Sequence, residues 1–336
     1  MRGRIESWLN GIWYGAAEAP WWLRALAPVY RVVFLTHRAI GRYRRPPDLL
    51  NAPIVVVGNL TAGGSGKTPL VIRLCQVLRE AGLKPGIVSR GYGGRRRGVV
   101  RVSENSSAAV VGDEALLMAG RTGLPVAVGS DRCAAARSLL AGGADVIVTD
   151  DGLQHHRLPR TLEICVVDAQ RQFGNGRLLP AGPLREPVER LRRVDHVVVN
   201  TADPLAEPRL VGAVAMQLLP GPLRSLDDRE SWRISQFAGC RANAVAGIGN
   251  PERFFRVLEQ AGLKLNRYVF PDHHRYVAAD LERLEPGLPL IMTEKDAVKC
   301  RGMGLENAWY LSIDASLPAR WEGAIAERML QAVTPA

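Results

Sequence analysis

Two apolar periods alternate along this chain. Ile54 to Val57 is an unbroken apolar run, the pattern of a strand buried on both faces. From Thr68 to Gly82, apolar residues return at Leu70, Leu74, Val77 and Leu78, which predicts a helix that stops at Gly82. Strand-like runs follow at Gly86 to Ser89, Leu124 to Val128, Val146 to Thr149, Ile164 to Val167 and His196 to Asn200, with helical stretches between several of them. That alternation predicts a parallel α/β sheet, whose ligands gather beyond the carboxyl ends of the strands. After about Pro222 the pattern restarts with Ala244 to Ile248, a turn at Gly249, Asn250 and Pro251, and a helix from Glu252 to Gly262.

The strand at Ile54 leads into GNLTAGGSGKTP, a Gly-rich turn that opens a helix. Gly63, Gly64 and Gly66 let backbone N–H groups curl round an anion. The helix aims its positive end there, Lys67 adds a point charge, and Thr68 offers a hydroxyl to Mg²⁺. Residues Thr61, Ala62, Gly63, Gly64, Ser65, Gly66, Lys67 and Thr68 are therefore expected to hold nucleotide phosphates, with Thr61 standing where the general P-loop pattern has its first glycine. A second signal agrees. VIVTDD, Val146 to Asp151, is an apolar strand ending in paired carboxylates, the form of a Walker B segment in which Asp150 or Asp151 holds the metal. Crowding two like charges at a buried strand end needs a cation or a base to justify it. The expected fold is α/β: a P-loop NTPase-like parallel sheet domain over residues 48–222, a smaller α/β domain over 223–336, and an amphipathic helical segment over 1–47.

Other strand ends carry polar groups whose meaning the residues alone leave open. SRGYGG (Ser89 to Gly94), followed by Arg95, Arg96 and Arg97, reads either as a loop gripping phosphate or substrate or as a solvated charged loop. Asp113 in GDE and Asp131 before Arg132 both suit helix N-caps, and Arg132 could also reach a phosphate. His155 and His156 carry no metal-like spacing, so a metal reading is rejected. GNGRLLPAGPLREP (Gly174 to Pro187) is a shaped loop holding Arg185 and Glu186. FPDHHRY (Phe270 to Tyr276) places His273 and His274 after a strand end, as functional or structural residues.

Composition narrows the class. The chain has 336 residues, enough for two domains, and a net charge of +11, which favours an anionic partner: nucleic acid, an acidic membrane or a phosphorylated substrate. Five scattered cysteines without C-x-x-C spacing read as buried thiols in a reducing compartment. The opening MRGRIESWLNG lacks the apolar core of a secretory signal. From Ile5 to Arg45, Trp8, Trp13, Tyr14, Trp21, Trp22, Tyr30 and Phe34 alternate with Arg24, Arg31, Arg38, Arg42, Arg44 and Arg45, up to a stop at Pro46 and Pro47. Arginines interrupt every run before it reaches the roughly 18 to 20 residues of a spanning helix, so the segment reads as interfacial or as packed on the protein's own core.

Taken together, GNLTAGGSGKTP, SRGYGG, GDEALL, TDDGLQH, LPAGPLREP, GIGNPERFF, FPDHHRY and TEKDAVK, in that order, closely resemble the tetraacyldisaccharide 4′-kinases, the lipid A 4′-kinases. The match covers most of the chain, and the Thr61 departure is itself the family's form. The resemblance implies transfer of the γ-phosphoryl of ATP to the 4′-hydroxyl of a lipid A disaccharide 1-phosphate, giving lipid IVA. It implies a peripheral or monotopic enzyme on the cytoplasmic face of the bacterial inner membrane. Lys67 and the loop amides would hold the β- and γ-phosphates. Thr68 with Asp150, Asp151 or both would hold Mg²⁺, with Glu186 a candidate to complete the shell. Asp113 would be the general base, His273 would orient it, and Arg132 and Arg185 would contact transferred or substrate phosphate. No obligate protein partner is implied.

Two other classes fit less well. In a nucleotide-switch GTPase or partition-type ATPase, VVVNTAD (Val197 to Asp203) would be the base-reading strand, but Thr201 occupies the lysine position and Ala62 replaces the second lysine of the partition loop. A nucleic-acid binder would need its aromatics on surface strands rather than in the apolar N-terminal segment, so nucleic acid is not expected as a partner.

Overall fold

The computed structural model describes residues 2–43, 52–94, 98–103, 105–202 and 210–333. Arg44, Arg45, Pro46, Pro47, the division at 47/48, Arg95 to Arg97 and Asp203 lie outside the described residues, as does the side chain of Arg42.

Two helices come first, α1 (Arg2–Tyr14) and α2 (Trp21–Tyr43). The N-terminal lobe follows: β1 (Ile54–Gly58), α3 (Lys67–Glu80), β2 (Pro85–Ser89), β3 (Val100–Arg101), α4 (Ala108–Val111), α5 (Asp113–Thr122), β4 (Val126–Val128), α6 (Arg132–Ala141), β5 (Val146–Thr149), β6 (Leu162–Asp168) and β7 (His196–Asn200). Then come β8 (Val214–Ser225), β9 (Ser231–Trp232), β10 (Arg241–Ala246), α7 (Pro251–Gln260), β11 (Lys264–Val269), α8 (Ala278–Leu281), β12 (Leu290–Thr293), α9 (Glu294–Cys300), β13 (Ala308–Ser316) and α10 (Ala319–Val333).

The strands form one sheet in the order β11-β10-β12-β13-β8-β7-β6-β1-β5-β2-β4-β3, with β9 attached to β8. From β4 to β8 neighbours are parallel, and from β13 to β11 they are parallel again; the β8–β13 seam between them is antiparallel. The α/β fold with a large parallel sheet is thus the one expected. Central strands β1, β2 and β5 are buried on both faces, which their uninterrupted apolar sequence requires.

Two connections were not legible from periodicity. Strand β8 pairs with β7 through Val214–Met216 and with β13 through Gln217–Ser225, so position 222 lies within a strand common to both lobes. Helix α10, within residues 223–336, packs Trp321, Ile325 and Met329 into the core of the N-terminal lobe beside Leu70 and Leu74. Arg73 of α3 clasps Glu322 with two hydrogen bonds of 2.7 Å. Of the cysteines, Cys75, Cys133, Cys165 and Cys300 are buried, but Cys240 is exposed, because it sits in the turn before β10 rather than within an apolar element.

Helix α2 has two apolar faces. Leu23, Ala27, Tyr30, Phe34 and Gly41 face the protein, and Phe34 meets His156 edge-on at 5.9 Å. Trp22, Leu26, Val29, Val33 and Ile40 are exposed, and Trp21 keeps 75% of its surface. Among the described residues no helix is long and apolar enough to cross a membrane.

Candidate active site

Strand β1 lies beside β5 in parallel register, so the P-loop and the Asp150–Asp151 pair emerge at the same edge of the sheet. The loop is shaped by its neighbours. Gly66 has φ 92°, the left-handed region that favours glycine, and a Cβ there would stand 3.0 Å from Asn200 Nδ2. Asn200, at the end of β7, donates to the Ser65 carbonyl at 3.2 Å. The proline-rich loop braces the other side: the Ala62 N–H donates to the Pro183 carbonyl at 2.8 Å, the Arg185 N–H donates to the Leu60 carbonyl at 2.6 Å, and Thr61 bridges Leu184. Lys67 and Thr68 then open α3, with Thr68 buried.

The acidic residues near the loop have separate surroundings. Arg185 donates from one nitrogen to both Asp151 oxygens, at 2.9 and 2.8 Å, and Lys67 Nζ stands 3.6 Å away. Burial would raise the Asp151 carboxyl, but Lys67, Arg185 and Arg132 together hold it far below the ordinary carboxylate range. Asp150 is the reverse. Burial and the nearby Glu114 push it up to about 7. Its Oδ1 is buried without a hydrogen-bond partner among the described residues, the condition of a carboxylate shaped to receive a cation. Glu186 is fully buried; its Oε1 accepts from Gln154 Nε2 at 2.9 Å, and its Oε2 lies 3.5 Å from Arg190 Nε. Arg132 is also buried and donates to the Asp150 carbonyl at 2.8 Å, while Asp131 caps α6 by accepting from the Ala134 N–H.

Asp113 opens α5 after Gly112, whose φ of 87° brings the chain against the SRGYGG loop. A Cβ on Gly112 would lie 2.6 Å from the Tyr92 carbonyl oxygen. Across the lobe boundary, His273 Nδ1 lies 2.9 Å from Asp113 Oδ2, and Tyr92 tilts over the imidazole at 5.0 Å. Burial pushes the Asp113 carboxyl up, yet the His273 hydrogen bond and the Lys295 ammonium outweigh it and hold the carboxyl below its usual value. The same hydrogen bond raises His273 against the opposing effect of burial. His273 has φ 58°, sparsely populated for a non-glycine residue, the kind of backbone cost found at functional sites. His274 turns away, stacking on Phe270 at 4.7 Å and pairing with Asp280 at 2.9 Å.

A surface cavity of about 240 Å³ is lined by Arg90, Ser130 and Tyr92, the ring that tilts over His273, among others. A larger one of about 410 Å³, against Arg73, Asp314 and Glu322, is lined by none of residues 61–68, Asp113, Asp150, Asp151, Glu186 or His273. The charges of Lys67 in the P-loop and of Glu114, the neighbour of the base candidate Asp113, both act on Asp150.

A sequence profile of the tetraacyldisaccharide-1-P 4′-kinases matches residues 19–331. The chain belongs to this family. It is 50% identical over 311 residues to the tetraacyldisaccharide 4′-kinase of Alkalilimnicola ehrlichii, covering 91% of this chain and 90% of that protein. It is 44% identical over 338 residues to that of Methylobacillus flagellatus, covering 99% and 98%. The crystal structure of LpxK from Aquifex aeolicus in complex with ATP superposes with a TM-score of 0.76 at 27% identity, over 92% of this chain and 98% of that one.

Two motifs of this kinase to which the sequence assigned no role acquire one as braces. Thr293 caps α9, and Asp296 Oδ2 accepts from the Gly247 N–H at 2.9 Å and from Thr293 Oγ1 at 2.5 Å, joining TEKDAVK to GIGNPERFF. Gly247 fits closely there: a Cβ would lie 2.8 Å from the Tyr276 hydroxyl and 2.9 Å from Asp296 Oδ1. Lys295 and Glu294 then reach across to α5: Lys295 Nζ lies 2.5 Å from Glu114 Oε1, and Arg121 donates to both Glu294 oxygens at 2.9 Å and to Asp314. The T-x-x-D spacing is a capping signature readable in the sequence; the ion pairs across the lobes are not.

Proposed function

We propose that this chain transfers the γ-phosphoryl group of ATP to the 4′-hydroxyl of the tetraacyldisaccharide 1-phosphate precursor of lipid A, giving lipid IVA, on the cytoplasmic face of the inner membrane. The observation that carries the reading is the Asp113–His273 contact, made across the lobe boundary. A sugar hydroxyl is a poor nucleophile and needs a carboxylate to accept its proton as it attacks. Asp113 is held ionised by its partners, so it is a competent acceptor. The 4′-oxygen bonds to the γ-phosphorus, the bond from that phosphorus to the β–γ bridging oxygen breaks, ADP leaves, and the proton passes to the Asp113–His273 pair.

Catalysis of such a transfer is positioning and charge neutralisation. Lys67 and the loop amides hold the β- and γ-phosphates. Thr68 and Asp150 are the residues that fit Mg²⁺, which when bound neutralises phosphate charge. Asp151 is engaged by Arg185 and Lys67 and stands outside that innermost pair, whereas Glu186, whose Oε2 is buried without a hydrogen-bond partner among the described residues, is the candidate to complete the shell. Arg185, held by Asp151, is the candidate to contact the transferred group, whereas Arg132 acts through the Asp150 backbone. Because His273 belongs to the C-terminal lobe, the full site exists only with the lobes closed, which limits idle ATP hydrolysis.

An acylated acceptor stays in the bilayer, so the enzyme must meet it at the surface. The exposed apolar face of α2 suits that contact, and the net charge of +11 favours anionic lipid. The deciding test is transfer of label from γ-labelled ATP to a lipid A disaccharide 1-phosphate in mixed micelles, with Lys67→Ala beside the wild type. Labelled lipid that vanishes in the variant supports the kinase reading. A folded wild type that binds ATP yet labels no lipid overturns it.

A further inference from the structure

Each N-terminal helix directs one tyrosine hydroxyl at the nucleotide loops. Tyr14, the last residue of α1, donates to the carbonyl of Ala62 inside the P-loop at 3.2 Å. Tyr30, in the middle of α2, donates to the carbonyl of Arg185 at 3.1 Å. Both acceptors sit at structural junctions. Ala62 is pinned on its N–H side to Pro183, and Arg185 is pinned by its N–H to Leu60 while its guanidinium grips Asp151. The Tyr14 ring also lies beneath Arg171, whose Cζ is 5.2 Å from the ring centroid and whose Nη2 continues to the Gly249 carbonyl of the C-terminal lobe at 3.4 Å.

The fit extends to the backbone of α1. The Asn175 N–H donates to the Trp13 carbonyl at 2.8 Å, Trp13 Nε1 donates to the Pro180 carbonyl at 3.0 Å, and a Cβ on Gly174 would stand 2.3 Å from the Trp13 oxygen. A segment that served only to hold the protein at a bilayer would need its outward face and nothing of this inward register.

We infer that Tyr14 and Tyr30 are positioning residues for phosphoryl transfer, Tyr14 through the P-loop backbone and Tyr30 through the Arg185–Asp151 pair, so that the N-terminal helices are a built part of the nucleotide site. The inference rests on reading residues 61–68 as the nucleotide loop. Its two arms differ in kinetic signature. On that reading the P-loop backbone holds ground-state nucleotide, so loss of the Tyr14 hydroxyl raises KM for ATP, and Arg185 contacts the transferred group, so loss of the Tyr30 hydroxyl lowers kcat.

The test uses the full chain in mixed micelles with Tyr14→Phe, Tyr30→Phe and the double variant, each keeping its ring. A single lost hydrogen bond corresponds to about a three- to tenfold change. The expected result is that ATP affinity measured without acceptor falls by that factor in Tyr14→Phe, that kcat falls by that factor in Tyr30→Phe, and that sedimentation with vesicles is unchanged in both. A merely structural role would lower the melting temperature with KM and kcat intact, and that result overturns the proposal. A wild type that binds no ATP would instead sink the reading of the loop itself.

Discussion

Replacing Arg121 by alanine tests whether the contact between the lobes delivers His273 to its carboxylate. Arg121 of α5 donates to both oxygens of Glu294 on α9 and to Asp314 on β13, and the side chains of Arg121 and Glu294 are only 16% and 12% exposed. The two truncations are unequal. Arg121→Ala strands a nearly buried Glu294, whose carboxyl burial already pushes up, and the cost of such an orphaned charge is about 2 to 3 kcal/mol. Glu294→Ala leaves Arg121 with Asp314 and costs about 1 kcal/mol. Removing both abolishes the stranded charge, so the double variant should cost about 2 kcal/mol, a coupling of about 1.5 kcal/mol. If that energy holds the lobes together, closure weakens by about tenfold for each 1.4 kcal/mol. Transfer to the lipid acceptor, measured as kcat/KM, should fall tenfold or more in Arg121→Ala, less in Glu294→Ala, and partly recover in the double. ATP affinity should stay near normal, because the P-loop belongs wholly to the N-terminal lobe. Normal transfer in Arg121→Ala, or a double variant whose loss equals the sum of the singles, refutes the clamp.

Other residues make separate predictions. Asp113→Asn should lose about 10²- to 10⁴-fold in turnover while still binding ATP, and near-normal turnover would remove it from the mechanism. His273→Gln tests the dyad by pH. The folded value of His273 is raised, so its contribution to stability is complete below the ordinary imidazole value of about 6.5 and disappears as pH rises through the folded value. Urea titrations should therefore show a loss of up to about 1 kcal/mol near pH 6 that shrinks as pH rises through the folded value, and a loss independent of pH would contradict the assignment. The Asp113 side of the pair, with a lowered value, stays constant across that window and is lost only as pH falls into the acid range. Gly247→Ala should destabilise the chain by about 1 to 3 kcal/mol in thermal or urea unfolding, since its Cβ would overlap the Tyr276 hydroxyl. Trp21→Ser with Trp22→Ser should weaken sedimentation with anionic vesicles by about tenfold or more, given about 25 cal/mol per Å² of ring surface withdrawn from water. Undiminished sedimentation would place the membrane contact elsewhere.

How far the sequence reaches into this molecule follows from the range of the forces involved. Strands β1 and β5 and the helix opening at Lys67 were legible because an uninterrupted apolar run, a Gly-rich turn and a 3.6-residue period are local signals. The residues alone could single out His273 only by its place after a strand end, and its pairing with Asp113 came from the family resemblance, since no spacing relates position 273 to position 113; the pairing exists because β8 and β13 fold the second lobe back onto α5. The same limit explains Glu186. In the sequence it is an acid beside Arg185, which the resemblance makes a candidate companion of Asp150, and only the fold shows it fully buried with Gln154 and Arg190 beside it. It explains Tyr14 and Tyr30 as well: a ring in a stretch rich in tryptophan and arginine announces a surface, and nothing in its neighbours reveals that the hydroxyl turns inward to a carbonyl 48 or 155 residues away. The N-terminal segment therefore combines two functions that composition cannot separate. Its outward residues are interchangeable by hydrophobicity, while its inward residues are fixed by register. A tyrosine-to-phenylalanine change conserves every compositional property of the segment and should still be felt at the phosphate loop.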